Sequence, residues 1–66
     1  MAGELNGRRV AILAADGVEG LALVRAERPD LVITDAMMPN LSGDEVVEII
    51  KTDPELRGTP IVMATA

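Results

Sequence analysis

Three short apolar runs divide the chain: Val10-Ala11-Ile12-Leu13, Leu31-Val32-Ile33-Thr34 and Ile61-Val62-Met63-Ala64. All are rich in aliphatic residues, and none alternates cleanly between apolar and polar. Unbroken apolar strands belong to parallel sheets covered on both faces. Two segments with helical period lie between them. The first runs from about Val18 to Arg28, with Asp16 at the cap position and Glu19 three residues later in a capping-box pattern. Pro29 ends it, because a residue before proline avoids the α region. The second runs from about Gly43 to Lys51, opened by the capping box Ser42-Gly43-Asp44-Glu45, with Val46, Val47 and Ile50 as its apolar stripe. Asp53-Pro54-Glu55-Leu56 predicts one further turn, and Arg57-Gly58-Thr59-Pro60 a loop into the last strand.

The predicted order is β-α-β-α-β, an α/β fold with a parallel three-stranded sheet. Crossovers of this kind are right-handed. If both step the same way, both helices cover one face of the sheet. The other face is then bare, yet it is also apolar: Val10 and Ile12 oppose Ala11 and Leu13, and Leu31 and Ile33 oppose Val32. An apolar patch of that size on a small protein marks an interface. The pattern therefore predicts self-association, with a second copy covering the bare face or joining the sheet edge.

Composition narrows the chemistry. The chain has 66 residues, so it is read as one domain spanning 1–66. A chain this short buries only about 60% of its unfolded surface, which makes a lone core marginal. It has no cysteine and no histidine, so thiolate chemistry, disulfides and the commonest general base are excluded. It has no aromatic residue and a formal net charge of -5, which argues against nucleic-acid binding. The apolar runs are far shorter than the roughly 20 residues of a membrane span. With no secretory signal at Met1-Ala2-Gly3-Glu4, the expected setting is cytoplasmic.

Asp35-Ala36-Met37-Met38-Pro39-Asn40-Leu41-Ser42-Gly43 resembles the phosphoacceptor loop of response-regulator receiver domains. Ala14 to Leu21 looks like the entry to the receiver's second helix, Arg28 to Asp35 like its third strand, and Thr59 to Ala66 like its fourth. The resemblance spans about residues 14 to 66 and implies a flavodoxin-like half-domain. It also implies Asp35 as the acceptor of a phosphoryl group from a histidine kinase, with Thr65 as the switch hydroxyl. Mg²⁺ is the cofactor it implies if the site is active, with Asp16, Asp35 and the backbone carbonyl of Met37 as candidate ligands. The acidic pair of the family's first strand and the lysine after its fifth strand have no counterpart here. The only lysine is Lys51, on or just after the second helix.

Leu5 to Glu19 resembles the first strand and turn of the PfpI-type peptidase and chaperone family, with Glu19 at the position of that family's assisting glutamate. Without cysteine the peptidase chemistry has no nucleophile. The two resemblances divide the chain into a PfpI-like 1–17 and a receiver-like 18–66 and point to a chimera or designed half-domain. The leading expectation is a non-enzymatic building block, completed by homodimerisation and needing no cofactor. The alternative is a truncated receiver that takes phosphate on Asp35.

Overall fold

The computed structural model describes residues 2–5 and 7–64. Its order is β1 (Ala2–Leu5), β2 (Arg8–Leu13), α1 (Gly17–Glu27), β3 (Leu31–Asp35), α2 (Gly43–Thr52) and β4 (Ile61–Ala64). Strands β2, β3 and β4 are parallel, with Val10 opposite Leu31 and Ile33 opposite Val62. The β-α-β-α-β unit expected from the apolar runs is therefore present, with two helices and three parallel strands.

The sequence reading missed β1. It pairs antiparallel with β2, Gly3 opposite Val10 and Leu5 opposite Arg8, so the sheet has four strands in the order β1-β2-β3-β4. The signal was there: Asn-Gly between two extended segments is the strongest short-range hairpin cue. Gly7 takes φ 79°, a value glycine adopts without steric cost.

Helix boundaries follow their caps. Asp16 accepts hydrogen bonds from the backbone N–H groups of Val18 and Glu19 at the start of α1. Only half of the predicted box forms there, because no bond returns from the Asp16 N–H to the Glu19 carboxylate among the described residues. At α2 the box is complete: Ser42 Oγ accepts from the Glu45 N–H, and the Glu45 carboxylate accepts from the Ser42 N–H. Helix α1 ends where Arg28 turns left-handed at φ 49° ahead of Pro29.

One core joins the layers. Ala11, Leu13 and Val32 from the sheet pack with Leu21 and Val24 of α1 and with Val46 and Ile50 of α2. Leu56, in the turn after α2, joins them as a core residue the helical stripes did not reveal. The opposite face of the sheet is open, as the alternation argument expects: Ile12 is 47% exposed and Val62 51%.

Candidate functional site

The site is built on the C-terminal edge of the parallel strands, where open α/β sheets receive ligands. Asp35 is the last residue of β3, flanked by β2 on one side and β4 on the other. The residue as a whole is half-buried. Oδ1 accepts a 3.1 Å hydrogen bond from the Met37 N–H, which curls the chain over the strand end. Oδ2 has no hydrogen bond among the described residues, so one acceptor oxygen remains available. Behind it, the fully buried Thr34 hydroxyl donates to the Asp35 carbonyl at 3.2 Å.

The loop 36–42 is held at both ends. At its far end, Gly43 N–H donates to the Ala36 carbonyl at 2.9 Å. A Cβ on Gly43 would run into the Asp35 carbonyl oxygen and stand 2.7 Å from Met63 Sδ and 2.9 Å from Ala36 Cα. No other residue lets the start of α2 lie this close to the strand end, which explains the glycine eight residues after the aspartate. In mid-loop, Pro39 O accepts from the Gly17 N–H at 3.1 Å and from the Leu41 N–H at 2.8 Å. Asn40, left-handed at φ 70°, donates its side-chain amide to Asp16 Oδ2. Gly17 also has no room for a side chain, since a Cβ would overlap the backbone of Leu41.

These contacts place the sequence candidates. Met37 is brought to Asp35, though by its N–H; its side chain is 82% exposed. Asp16 is drawn to the other end of the loop. Oδ1 caps α1 and Oδ2 receives Asn40. Its pKa lies below the usual carboxylate value, chiefly through the Glu19 N–H, with the Asn40 amide and the Val18 N–H adding to this against some desolvation. Thr65 lies outside the described residues. Asn40 and Gly17 were missed as site-shaping residues, whereas Gly43 was read as the end of the loop motif. The readable signals were the small residues flanking the loop and an asparagine, a residue type that tolerates left-handed φ.

The Mg²⁺ implied by the receiver resemblance needs a fixed octahedral set of oxygens. The described residues contain no group of three or more Asp, Glu, His or Cys that could surround one ion. Asp16, the one acid proposed to assist Asp35, already uses both oxygens in hydrogen bonds. The residues present therefore fall short of the set this ion prefers.

A family model described as the response regulator receiver domain matches residues 3–66. The chain belongs to the response regulator receiver family. The match runs through the whole segment 5–19 that resembles the PfpI-type family, so nothing requires a junction near Gly17, and no finding supports a chimera. The hybrid signal transduction histidine kinase D of Dictyostelium discoideum is similar, at 49% identity over 83% of this chain and 4% of that protein. The polar-differentiation response regulator DivK of Brucella anthropi is 44% identical over 83% of this chain and 45% of its own length. The transcriptional regulatory protein AfsQ1 of Streptomyces coelicolor is 45% identical over 92% of this chain and 25% of its own. Among solved structures, the N-terminal domain of a response regulator receiver protein from Methanoculleus marisnigri superposes with a TM-score of 0.69 at 32% identity, over 79% of this chain and 63% of that one. The chain spans less than half the length of these curated relatives. This receiver has no helix, among its described residues, long and apolar enough to cross a membrane.

Proposed function

We propose that this chain is a phosphoacceptor module of a phosphorelay, itself non-enzymatic, taking its phosphoryl group from a histidine kinase in the cytoplasm. The observation that carries the reading is Asp35. It ends the central parallel strand and keeps Oδ2 available while the Met37 N–H holds Oδ1. Phosphoryl transfer is mostly positioning and charge neutralisation. Oδ2 attacks the phosphorus of a phosphohistidine, the P–N bond breaks and an acyl phosphate forms. The imidazole nitrogen leaves with the electron pair and takes a proton from water. Family membership and the curated relatives, which include response regulators and a hybrid histidine kinase, favour this reading over a designed structural block. Self-association through the open sheet face remains a second element of the proposal, supported by the exposure of Ile12 and Val62.

Incubation with a small phosphodonor such as acetyl phosphate, with Mg²⁺ present, followed by intact-mass measurement, tests the reading. It predicts a gain of one phosphoryl group that Asp35→Asn abolishes. An unchanged mass, or a gain that survives the substitution, would overturn it.

A further inference from the structure

Among the described residues, Thr34 is the one polar side chain fully buried in the core. It lies on the helix side of β3, in the alternation of Val32 and in register with Met63 of β4. A valine has nearly the same shape and no hydroxyl to desolvate, so a threonine here costs core stability unless its hydroxyl is bonded. The hydroxyl donates to the Asp35 carbonyl at 3.2 Å. That carbonyl belongs to the peptide joining Asp35 to Ala36. The next peptide is held separately, and its two ends are the Ala36 carbonyl and the Met37 N–H. The carbonyl accepts from the Gly43 N–H at 2.9 Å, and the Met37 N–H donates to Asp35 Oδ1 at 3.1 Å. Two successive peptides are thus fixed, one by Thr34 and one by α2. The Met37 N–H returns that constraint to the Asp35 carboxylate.

We propose that Thr34 is a positioning residue for phosphoryl transfer, whose hydroxyl sets the peptide after Asp35 and so decides which carboxylate oxygen is offered. This rests on the phosphoacceptor reading above and adds to it a residue that touches neither the donor nor the phosphoryl group. Oδ1 is committed only while the Met37 N–H lies within reach, and the two peptides before that N–H place it. Thr34→Val puts a methyl group where the hydroxyl was, and a methyl cannot hold a carbonyl oxygen at hydrogen-bond distance. Gly43 also stands against this carbonyl, close enough that a Cβ there would overlap its oxygen, so the peptide has little room before it meets α2. A tilt that moves the Met37 N–H away from Oδ1 leaves the carboxylate free to turn, and Oδ2 is no longer held as the attacking oxygen. Phosphoryl transfer depends chiefly on positioning, and small displacements at a reacting atom have large effects on rate.

The test compares initial rates of phosphoryl uptake from acetyl phosphate with Mg²⁺, read by intact mass, in the 66-residue parent, Thr34→Val, Thr34→Ser and Thr34→Ala. Denaturant midpoints are measured for each. Losing the hydroxyl in Thr34→Val should slow uptake about threefold to tenfold, the worth of one hydrogen bond. Thr34→Ser keeps the hydroxyl and should stay near the parent rate, although the lost buried methyl gives it a lower midpoint than Thr34→Val. Rate and stability then rank these two variants in opposite orders, which a merely structural role would not do. Thr34→Ser and Thr34→Ala differ in the hydroxyl alone. That pair repeats the comparison if Thr34→Val does not fold, with Thr34→Ser expected to be faster by the same factor. Uptake in Thr34→Val equal to the parent's, a Thr34→Ser as slow as Thr34→Val, or equal rates in the Thr34→Ser and Thr34→Ala pair would overturn the proposal and leave the phosphoacceptor reading intact. A parent that gains no phosphoryl group overturns that reading and this one with it.

Discussion

The Asn40 side-chain amide donates to Asp16 Oδ2, tying the loop after β3 to the residue that caps α1. The two residues are 24 positions apart in sequence. Through this bond and the Gly17–Pro39 bond, the loop 36–42 and the first helix share one boundary. Two properties of Asn40 are separable here, its amide and its left-handed backbone. Asn40→Gly removes only the first, while Asn40→Ala removes both. Thermal unfolding should rank the parent above Asn40→Gly and Asn40→Gly above Asn40→Ala. The glycine–alanine gap should be about 1 kcal/mol, the cost of a left-handed alanine.

Gly43 is the tightest point beside Asp35. A methyl group there meets the Asp35 carbonyl oxygen and Met63 Sδ, and the backbone contact cannot yield without moving the strand end. Gly43→Ala should destabilise the fold by about 1–3 kcal/mol, the usual range for forced overpacking. Because the displaced group belongs to Asp35, phosphoryl uptake should fall even at temperatures where circular dichroism shows the variant folded. Gly58, where a Cβ meets nothing within 4 Å, is the matched control, and Gly58→Ala should leave uptake unchanged.

The acid limb of stability follows from two caps. The Asp16 pKa is lowered mainly by the Glu19 N–H, and the Glu45 pKa mainly by the Ser42 N–H with help from the Ser42 hydroxyl. A folded-state pKa below the unfolded one adds stability above the unfolded value, and that stability is lost as pH falls through the folded value. The ordinary values are 3.8 and 4.5. Denaturant midpoints should therefore hold steady down to roughly pH 5 and drop below it. Asp16→Asn should flatten that drop. Both groups lie in solvent, so added salt should shrink the effect.

Ile50 and Val24 are fully buried where the two helices meet the sheet. A chain of 66 residues has roughly 3–10 kcal/mol of total stability. Ile50→Ala costs about 2–5 kcal/mol through lost burial and the cavity left behind. This single truncation should remove a large share of that stability, read as a lower midpoint in chemical denaturation. Exposed Val18→Ala should change the midpoint little.

The parallel strands were legible because their runs are apolar on both faces, and the helices because Asp16, Ser42 and Pro29 mark their ends. The open face was legible too, since the alternation of Val10 and Ile12 against Ala11 and Leu13 needs no structure to count. β1 was not seen, because Ala-Gly-Glu-Leu has little strand propensity and only the Asn-Gly turn that follows it signals the pairing with β2. Leu56 was missed because it stands outside any helical stripe and reaches the core from a turn. At the site, Asp35 was readable from its spacing to Pro39 and Gly43. The role of Asn40 was not, because it depends on a fold-back that brings residue 40 to residue 16.

The most direct test of Asp35 as the phosphoacceptor is chemical trapping of the bond itself. An acyl phosphate on aspartate is reduced by borohydride to homoserine, while phosphate esters of serine and threonine are not. After phosphodonor treatment and reduction, peptide mass mapping should find homoserine at position 35 and at no other acidic residue. Homoserine at Asp16, Asp44 or another aspartate, or no homoserine in protein that has gained a phosphoryl group, would contradict the account.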